Sequence, residues 1–208
     1  MIGSTTMPQA LDGARIDGGL YGDVTEFARH TQWLNGPAYT YTSYGIALFA
    51  VLLLVGWWVA RRHDARSMAV ALIAPFAVMA AYLANDGIKS VFLEPRPCRA
   101  LPYDFLIEKC PPPDDYAFPS NHTTVAAAVA AALLLVDRRL GAVATVAALL
   151  MGASRVYVGA HYPHDVLAAL AVGAVAGCGI AWAAGRLAVP MVTRLREGAL
   201  RPLLIATE

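Results

Sequence analysis

The stretch Ser154-Arg155-Val156-Tyr157-Val158-Gly159-Ala160-His161-Tyr162-Pro163-His164-Asp165 lies between two long apolar runs, about Leu140 to Val158 and Val166 to Val189. Its setting decides the fold. Each run has the length of a membrane-crossing helix, and charge placed between two such runs is expensive and usually functional. Arg155 is a planar fork suited to phosphate oxygens. His161 and His164 are residues that act as nucleophile or proton carrier near neutral pH. Asp165 stands four residues after His161, where a carboxylate can orient the imidazole and stabilise its charged form.

Working outward, three more apolar runs precede these two: Ser43 to Ala60, roughly Ser67 to Ala84 with Pro75 inside it, and Ser120 to Val136. Of the 208 residues, 58% are hydrophobic and only 15% charged, with a mean hydropathy of +0.51. That composition is too apolar for an ordinary soluble domain. We therefore expect an all-α integral membrane protein, a bundle of five transmembrane helices spanning 43–189. Before it, 1–42 forms an extramembrane segment whose tip, 1–16, is expected to be mobile. Leu20, Tyr21, Val24, Phe27 and Ala28 recur there at helical spacing. An N-terminal helix lying in the membrane interface fits this pattern, and so does a short helix capping the bundle. Residues 190–208 read as a tail. The small-residue pattern Gly173 to Gly177 in the fifth run is better explained by close packing inside the bundle than by dimerisation.

Charge orients the spans. The 61–66 and 137–139 connections and the tail are rich in arginine, which places them in the cytoplasm. Five spans then put the amino terminus, the long polar connection 85–119 and the 156–165 stretch outside, and the carboxyl terminus inside. A loop that long is uncommon and usually functional. Cys98 and Cys110 share it, and an oxidising exterior permits a disulfide between them; Cys178, in the fifth span, is expected to be a buried free thiol. The net charge of +1 points to no nucleic-acid partner.

The outer side carries two further clusters, Lys89 to Arg96-Pro97 and Pro119-Ser120-Asn121-His122. Ser120 suits an N-cap, and the helix start behind it would be an anion site. Lys89, Arg96 and Arg155 add three cations. Cations, a helix amino terminus and two histidines describe a phosphoryl-transfer site. No carboxylate-rich cage for magnesium is evident, so no metal and no cofactor are expected.

Lys-x6-Arg-Pro, Pro-Ser-x-His and Ser-Arg-x5-His-x3-Asp, in that order, resemble the three signature motifs of the type 2 phosphatidic acid phosphatase superfamily. Within it, Phe118 to Thr124 and Ser154 to Asp165 look most like bacterial undecaprenyl-diphosphatases of the bacitracin-resistance type. The resemblance implies a lipid phosphatase of the plasma membrane, with a lipid phosphate or diphosphate as substrate and its active site facing outside. It implies His161 as nucleophile, Asp165 as its orienter and His122 as the acid that protonates the leaving group. Lys89, Arg96, Arg155, Ser120 and Asn121 would bind phosphate. The superfamily usually has glycine where this chain has Asn121, and the undecaprenyl branch often has aspartate.

Other readings stand beside these. The substrate could be phosphatidylglycerophosphate, phosphatidate or another polyprenyl phosphate. A non-catalytic transporter or scaffold would spread polar residues through its spans, whereas here they gather at one face. Arg155 with Asp165 reads alternatively as a structural ion pair. His164 reads as a neighbour of the site, and His30 and His63 as surface residues. Glu94 and Asp86 either balance the cations or solvate the loop. Tyr157 and Tyr162 read as interfacial aromatics, and either could touch a lipid. The sequence sets no oligomeric state.

Overall fold

The computed structural model describes residues 10–101 and 105–206. The expected tip therefore lies outside the described residues up to position 9, as do 102–104 of the long connection and 207–208 of the tail.

The described residues form helices and connections, with no strand among them. The chain begins with α1 (Gly13–His30), α2 (Gln32–Tyr44) and α3 (Ile46–Ala60). α2 and α3 meet at Gly45 with a bend of 56°. α4 (Ala65–Phe92) starts where the Asp64 side chain accepts a hydrogen bond from the backbone N–H of Ser67, at 2.8 Å, the usual N-cap device. It ends at Leu93, which turns left-handed with φ 49° ahead of Pro95. After the short α5 (Pro97–Ala100) come α6 (Asn121–Val136), α7 (Arg138–Tyr157), α8 (Pro163–Glu197) and the short α9 (Arg201–Leu204). Asp137 caps α7 through Leu140 as Asp64 caps α4. In the sequence it reads only as the close of the preceding run.

Three helices, in the α4 segment, α7 and α8, are long and apolar enough to cross a membrane, and α2 with α3 makes a fourth if the bent pair is one span. α6 has 16 residues, about 24 Å at the helical rise. It is nonetheless the helix at the centre: α3, α4, α7 and α8 all pack on it. Its alanines are buried from Ala126 to Ala132. Small residues there let neighbours approach closely. A Cβ on Gly173 of α8 would strike the Thr124 carbonyl oxygen, and one on Gly177 would come within 2.6 Å of the Ala128 Cα.

The outside of the bundle is inverted relative to a soluble protein. Leu54 on α3, Phe76 and Leu83 on α4, Val143 and Leu149 on α7, and Leu167 and Val175 on α8 are all exposed. Exposed apolar surface on this scale is a lipid-facing surface. The chain is a multi-pass membrane protein.

At one end the arginine-rich segments meet. Arg61 donates to the Pro202 carbonyl at 2.9 Å and lies over Trp58, while Arg196 donates to the His63 carbonyl at 2.8 Å. The Lys89, Arg96, His122 and Arg155 clusters lie at the opposite end, where α4 and α7 finish and α6 and α8 begin.

Several expectations change. Residues 11–16 are docked, with Leu11 N–H donating to the Phe92 carbonyl at 3.0 Å. The connection taken to begin at Asn85 is helical to Phe92. α8 continues through Val189 to Glu197. Cys178 is free but only half-buried. Tyr162 is fully buried and Tyr157 nearly so, so neither is an interfacial aromatic.

Candidate active site

The site is assembled from six chain segments at that opposite end. α4 supplies Lys89 on its last turn and Asn85 one turn earlier. The segment after it supplies Glu94 and Arg96, and the Cys98–Cys110 disulfide then ties the long connection back on itself. The start of α6 supplies Ser120, Asn121 and His122, and the last turn of α7 supplies Arg155. The short link between α7 and α8 carries His161, and the first turn of α8 carries Asp165.

Local geometry fixes that link. The N–H groups of Ala160 and His161 both donate to the Arg155 carbonyl, at 3.0 and 3.2 Å. Gly159 turns with φ 83°, and a Cβ there would strike Leu106, so the turn requires glycine. Ile107 and Glu108 both donate backbone N–H groups to the Val158 carbonyl at 3.1 Å, which seats the long connection over the link.

His161 is 1% exposed and Asp165 is fully buried. Nδ1 of His161 lies 3.2 Å from Oδ2 of Asp165, which also accepts from Tyr162 N–H at 2.9 Å. Nε2 lies 2.7 Å from Nη1 of Arg96. A guanidinium only donates, so Nε2 holds a lone pair and Nδ1 carries the hydrogen it gives Asp165. This tautomer is assigned from the hydrogen-bond network. Burial first, then the charges of Arg96, Arg155 and Lys89 and the nearby His122, holds the imidazole neutral, well below its ordinary value of 6.5.

Two carboxylates sit on the three cations. Oδ1 of Asp115 accepts from Lys89 Nζ at 3.0 Å and from Arg96 Nη2 at 2.8 Å. Burial raises that carboxyl, but Arg96 and Lys89 outweigh it and hold it below the ordinary carboxylate range. Glu108 receives both arms of Arg155, at 2.6 and 3.1 Å, and Thr42 of α2 accepts a further bond from Nη1 at 2.8 Å. Arg155 thus pairs with Glu108 and not with Asp165. Lys89, Arg96, Arg155, His122, His161 and Asn121 all border one cavity of about 120 Å³, with Glu108 and Asp115 on its rim.

Every residue expected at the site is therefore at this end, though two act differently. Ser120 occupies the N-cap position and is buried, but its hydroxyl accepts from Thr123 at 3.1 Å and makes no cap bond to the backbone. Asn121 accepts from Asn85 Nδ2 at 2.6 Å, and Asn85 Oδ1 accepts from Thr124 at 2.8 Å. Asn85, Glu108, Asp115 and Thr42 were not singled out from the sequence. Asn85 carried a signal, an amide near the end of an apolar run; the other three are ordinary loop or helix polar residues until the chain folds. Glu94 is fully buried behind Asp165, with His164 beside it, so it does not solvate the loop. An apolar cavity of about 430 Å³ lies between α1, α2 and α7, lined by Phe27, Leu34, Tyr41 and Tyr157 among others.

A family model described as the PAP2 superfamily matches residues 70–188. The undecaprenyl-diphosphatase BcrC of Bacillus subtilis is 35% identical over 158 residues, covering 76% of this chain and 79% of the relative. The bacitracin transport permease protein BcrC of Bacillus licheniformis is 28% identical over 165 residues, 79% and 78% of the two chains. An undecaprenyl-diphosphatase of Sulfolobus acidocaldarius is 30% identical over 146 residues, 67% and 66% of the two. The crystal structure of Aquifex aeolicus LpxE superposes with a TM-score of 0.62 at 23% identity, covering 78% of this chain and 92% of that one. That last likeness concerns the fold alone.

Proposed function

The chain belongs to the PAP2 superfamily, and from that premise we propose that it hydrolyses undecaprenyl diphosphate to undecaprenyl phosphate and inorganic phosphate. It is a phosphatase; the substrate, the covalent step and the side of the membrane are our reading. The observation that carries the reading is buried His161, whose Nε2 holds a lone pair that accepts from Arg96 at 2.7 Å and which borders a cavity also lined by Lys89, Arg96 and Arg155. The curated relatives named undecaprenyl-diphosphatase support the substrate.

In this mechanism the terminal phosphate enters the cavity and its oxygens replace those of Asp115 and Glu108 on the three cations. Ser120, Asn121 and the free N–H groups of the first turn of α6 complete the cradle. Nε2 of His161 attacks phosphorus as the bond to the bridging oxygen breaks. His122 gives its proton to the departing lipid phosphate. Asp165 stabilises the charge that develops on the imidazole. His122 then takes a proton from water, whose oxygen attacks phosphorus; the P–N bond breaks and phosphate leaves. The three cations meet the phosphate charge, so the chemistry is metal-independent.

In the membrane we read five spans. α2 with α3 forms one bent span, and α6 forms a short one wrapped by its neighbours. The arginine end faces the cytoplasm, which puts the site at the outer face of the plasma membrane. The apolar cavity beside Tyr157 offers the lipid chain a path.

Phosphate release from a panel of purified lipid monophosphates and diphosphates tests this reading. Undecaprenyl diphosphate is expected to give the highest kcat/KM, undiminished by a chelator. A preference for phosphatidate or phosphatidylglycerophosphate would replace the substrate. One relative's name is that of a transport permease; transport without turnover predicts no phosphate release from any lipid in detergent.

A further inference from the structure

Behind Asp165 lies a second polar cluster that the reaction above does not use. The His164 ring is sandwiched between Phe118 and Tyr162, with centroids at 5.8 and 5.6 Å and planes within 24° and 19°. Its Nδ1 lies 2.8 Å from Oδ1 of Asp17, and its backbone N–H donates to Oδ2 of the same residue at 2.7 Å. Its Nε2 lies 3.0 Å from Oε1 of Glu94 and 3.4 Å from Oδ1 of Asp165. α1 bends at Asp17, whose backbone leaves the helical region there. Gly13 leaves the room that Glu94 occupies, since a Cβ on it would strike Oε1 and the Tyr162 ring. Four separate segments thus converge on one imidazole.

Both ring nitrogens face carboxylate oxygens, and a carboxylate accepts only. The ring therefore carries both hydrogens and a positive charge, which two aromatic faces further favour. Glu94 and Asp165 are both fully buried. Two buried carboxylates side by side with no cation would take up a proton between them. A proton on Asp165 would weaken its hold on His161. We propose that His164 is a positioning residue for the reaction: its charged imidazole, clamped by Asp17 and Glu94, keeps Asp165 a full carboxylate and so keeps the lone pair of His161 aimed at phosphorus.

A divalent cation is the competing occupant, because Glu94, His164 and Asp165 each bring a donor atom within 4.8 Å of the others. The hydrogen-bond distances from both ring nitrogens favour the imidazolium.

The inference rests on His161 as nucleophile, and kinetics of the purified full-length protein on undecaprenyl diphosphate separate the two. His164→Gln keeps a hydrogen-bonding side chain without the charge. It is expected to lower kcat about 10–100-fold, less than loss of a direct triad carboxylate, with KM within about threefold. Adding Glu94→Gln removes the competing carboxylate, and the double variant is expected to recover at least tenfold of that loss. A merely structural role predicts that the second substitution makes matters worse. Should His164→Gln fail to fold, Asp17→Asn removes the outer clamp and is expected to lower kcat by a smaller factor at constant KM. Unchanged kcat in folded His164→Gln, or no recovery on adding Glu94→Gln, overturns the proposal. So does loss of wild-type turnover on chelation with rescue by a divalent cation. Retained turnover in His161→Gln would instead refute the nucleophile itself.

Discussion

At the scale of single residues, the two histidines make different demands on their surroundings. His161 is sealed in, neutral, and held at both nitrogens by Asp165 and Arg96. His122 stands half-buried on the cavity wall, which suits the acid role proposed for it. Asp165→Asn keeps the volume but offers Nδ1 an ambiguous partner, and we expect kcat to fall by about 10⁴, as for a triad carboxylate. His122→Ala is expected to lose about 10²–10⁴-fold on a diphosphate. It is expected to lose far less on an activated aryl phosphate, whose leaving group needs little protonation. The neutral state of His161 has a further consequence. Its folded value lies below the unfolded value near 6.5, so the unfolded chain binds the proton first and stability rises with pH through that range. Thermal unfolding from pH 8 to 5.5 is expected to show falling stability below about 6.5, with a shallower decline in His161→Gln. These candidate site residues were legible because their types and spacings repeat a known pattern. Glu108 and Asp115 were not, because an acid in a polar loop looks like any other until Val158 and the disulfide bring the loop over Arg155.

Among the elements, the connection between α4 and α6 has two jobs. It closes over the cavity, and it lends Asp115 and Glu108 to the cations proposed to bind phosphate. Replacing Asp115 by Asn weakens that competition, and KM for a diphosphate substrate is expected to fall severalfold; an unchanged or higher KM would show that the carboxylate guides substrate instead. The disulfide closes a loop with a sequence separation of 12. Cys98→Ser with Cys110→Ser is expected to cost about 3 kcal/mol of stability in the chain-entropy picture, read as a lower unfolding midpoint. The helices themselves were mostly visible as apolar runs. The misjudged boundaries have a physical cause. Asn85 and Lys89 in the last turns of α4 are polar and buried at the candidate site, and Asp86 and Ser90 beside them are exposed, so the polarity of Asn85 to Phe92 concealed the helix. The 43–60 run is only the apolar half of the bent α2–α3 pair, whose first half is too polar to read as a span.

For the whole molecule, one packing decision sets everything else. α6 is short, alanine-rich and central, and it holds its amino-terminal turn where α4, α7 and α8 bring their charged ends. Gly177→Leu would drive a side chain into the α6 backbone at Ala128. The expected cost is about 1–3 kcal/mol, with activity falling in step with folded protein. Single-cysteine labelling in intact cells is expected to find the 105–117 segment open to an impermeant reagent and the 61–64 turn protected. The most direct test of the account is mass spectrometry of the enzyme quenched during turnover of undecaprenyl diphosphate. Phosphate is expected on the peptide carrying His161, stable to base and labile to acid, and absent in His161→Gln. Phosphate on His122 instead, or phosphate release with no phosphorylated histidine at all, would contradict it.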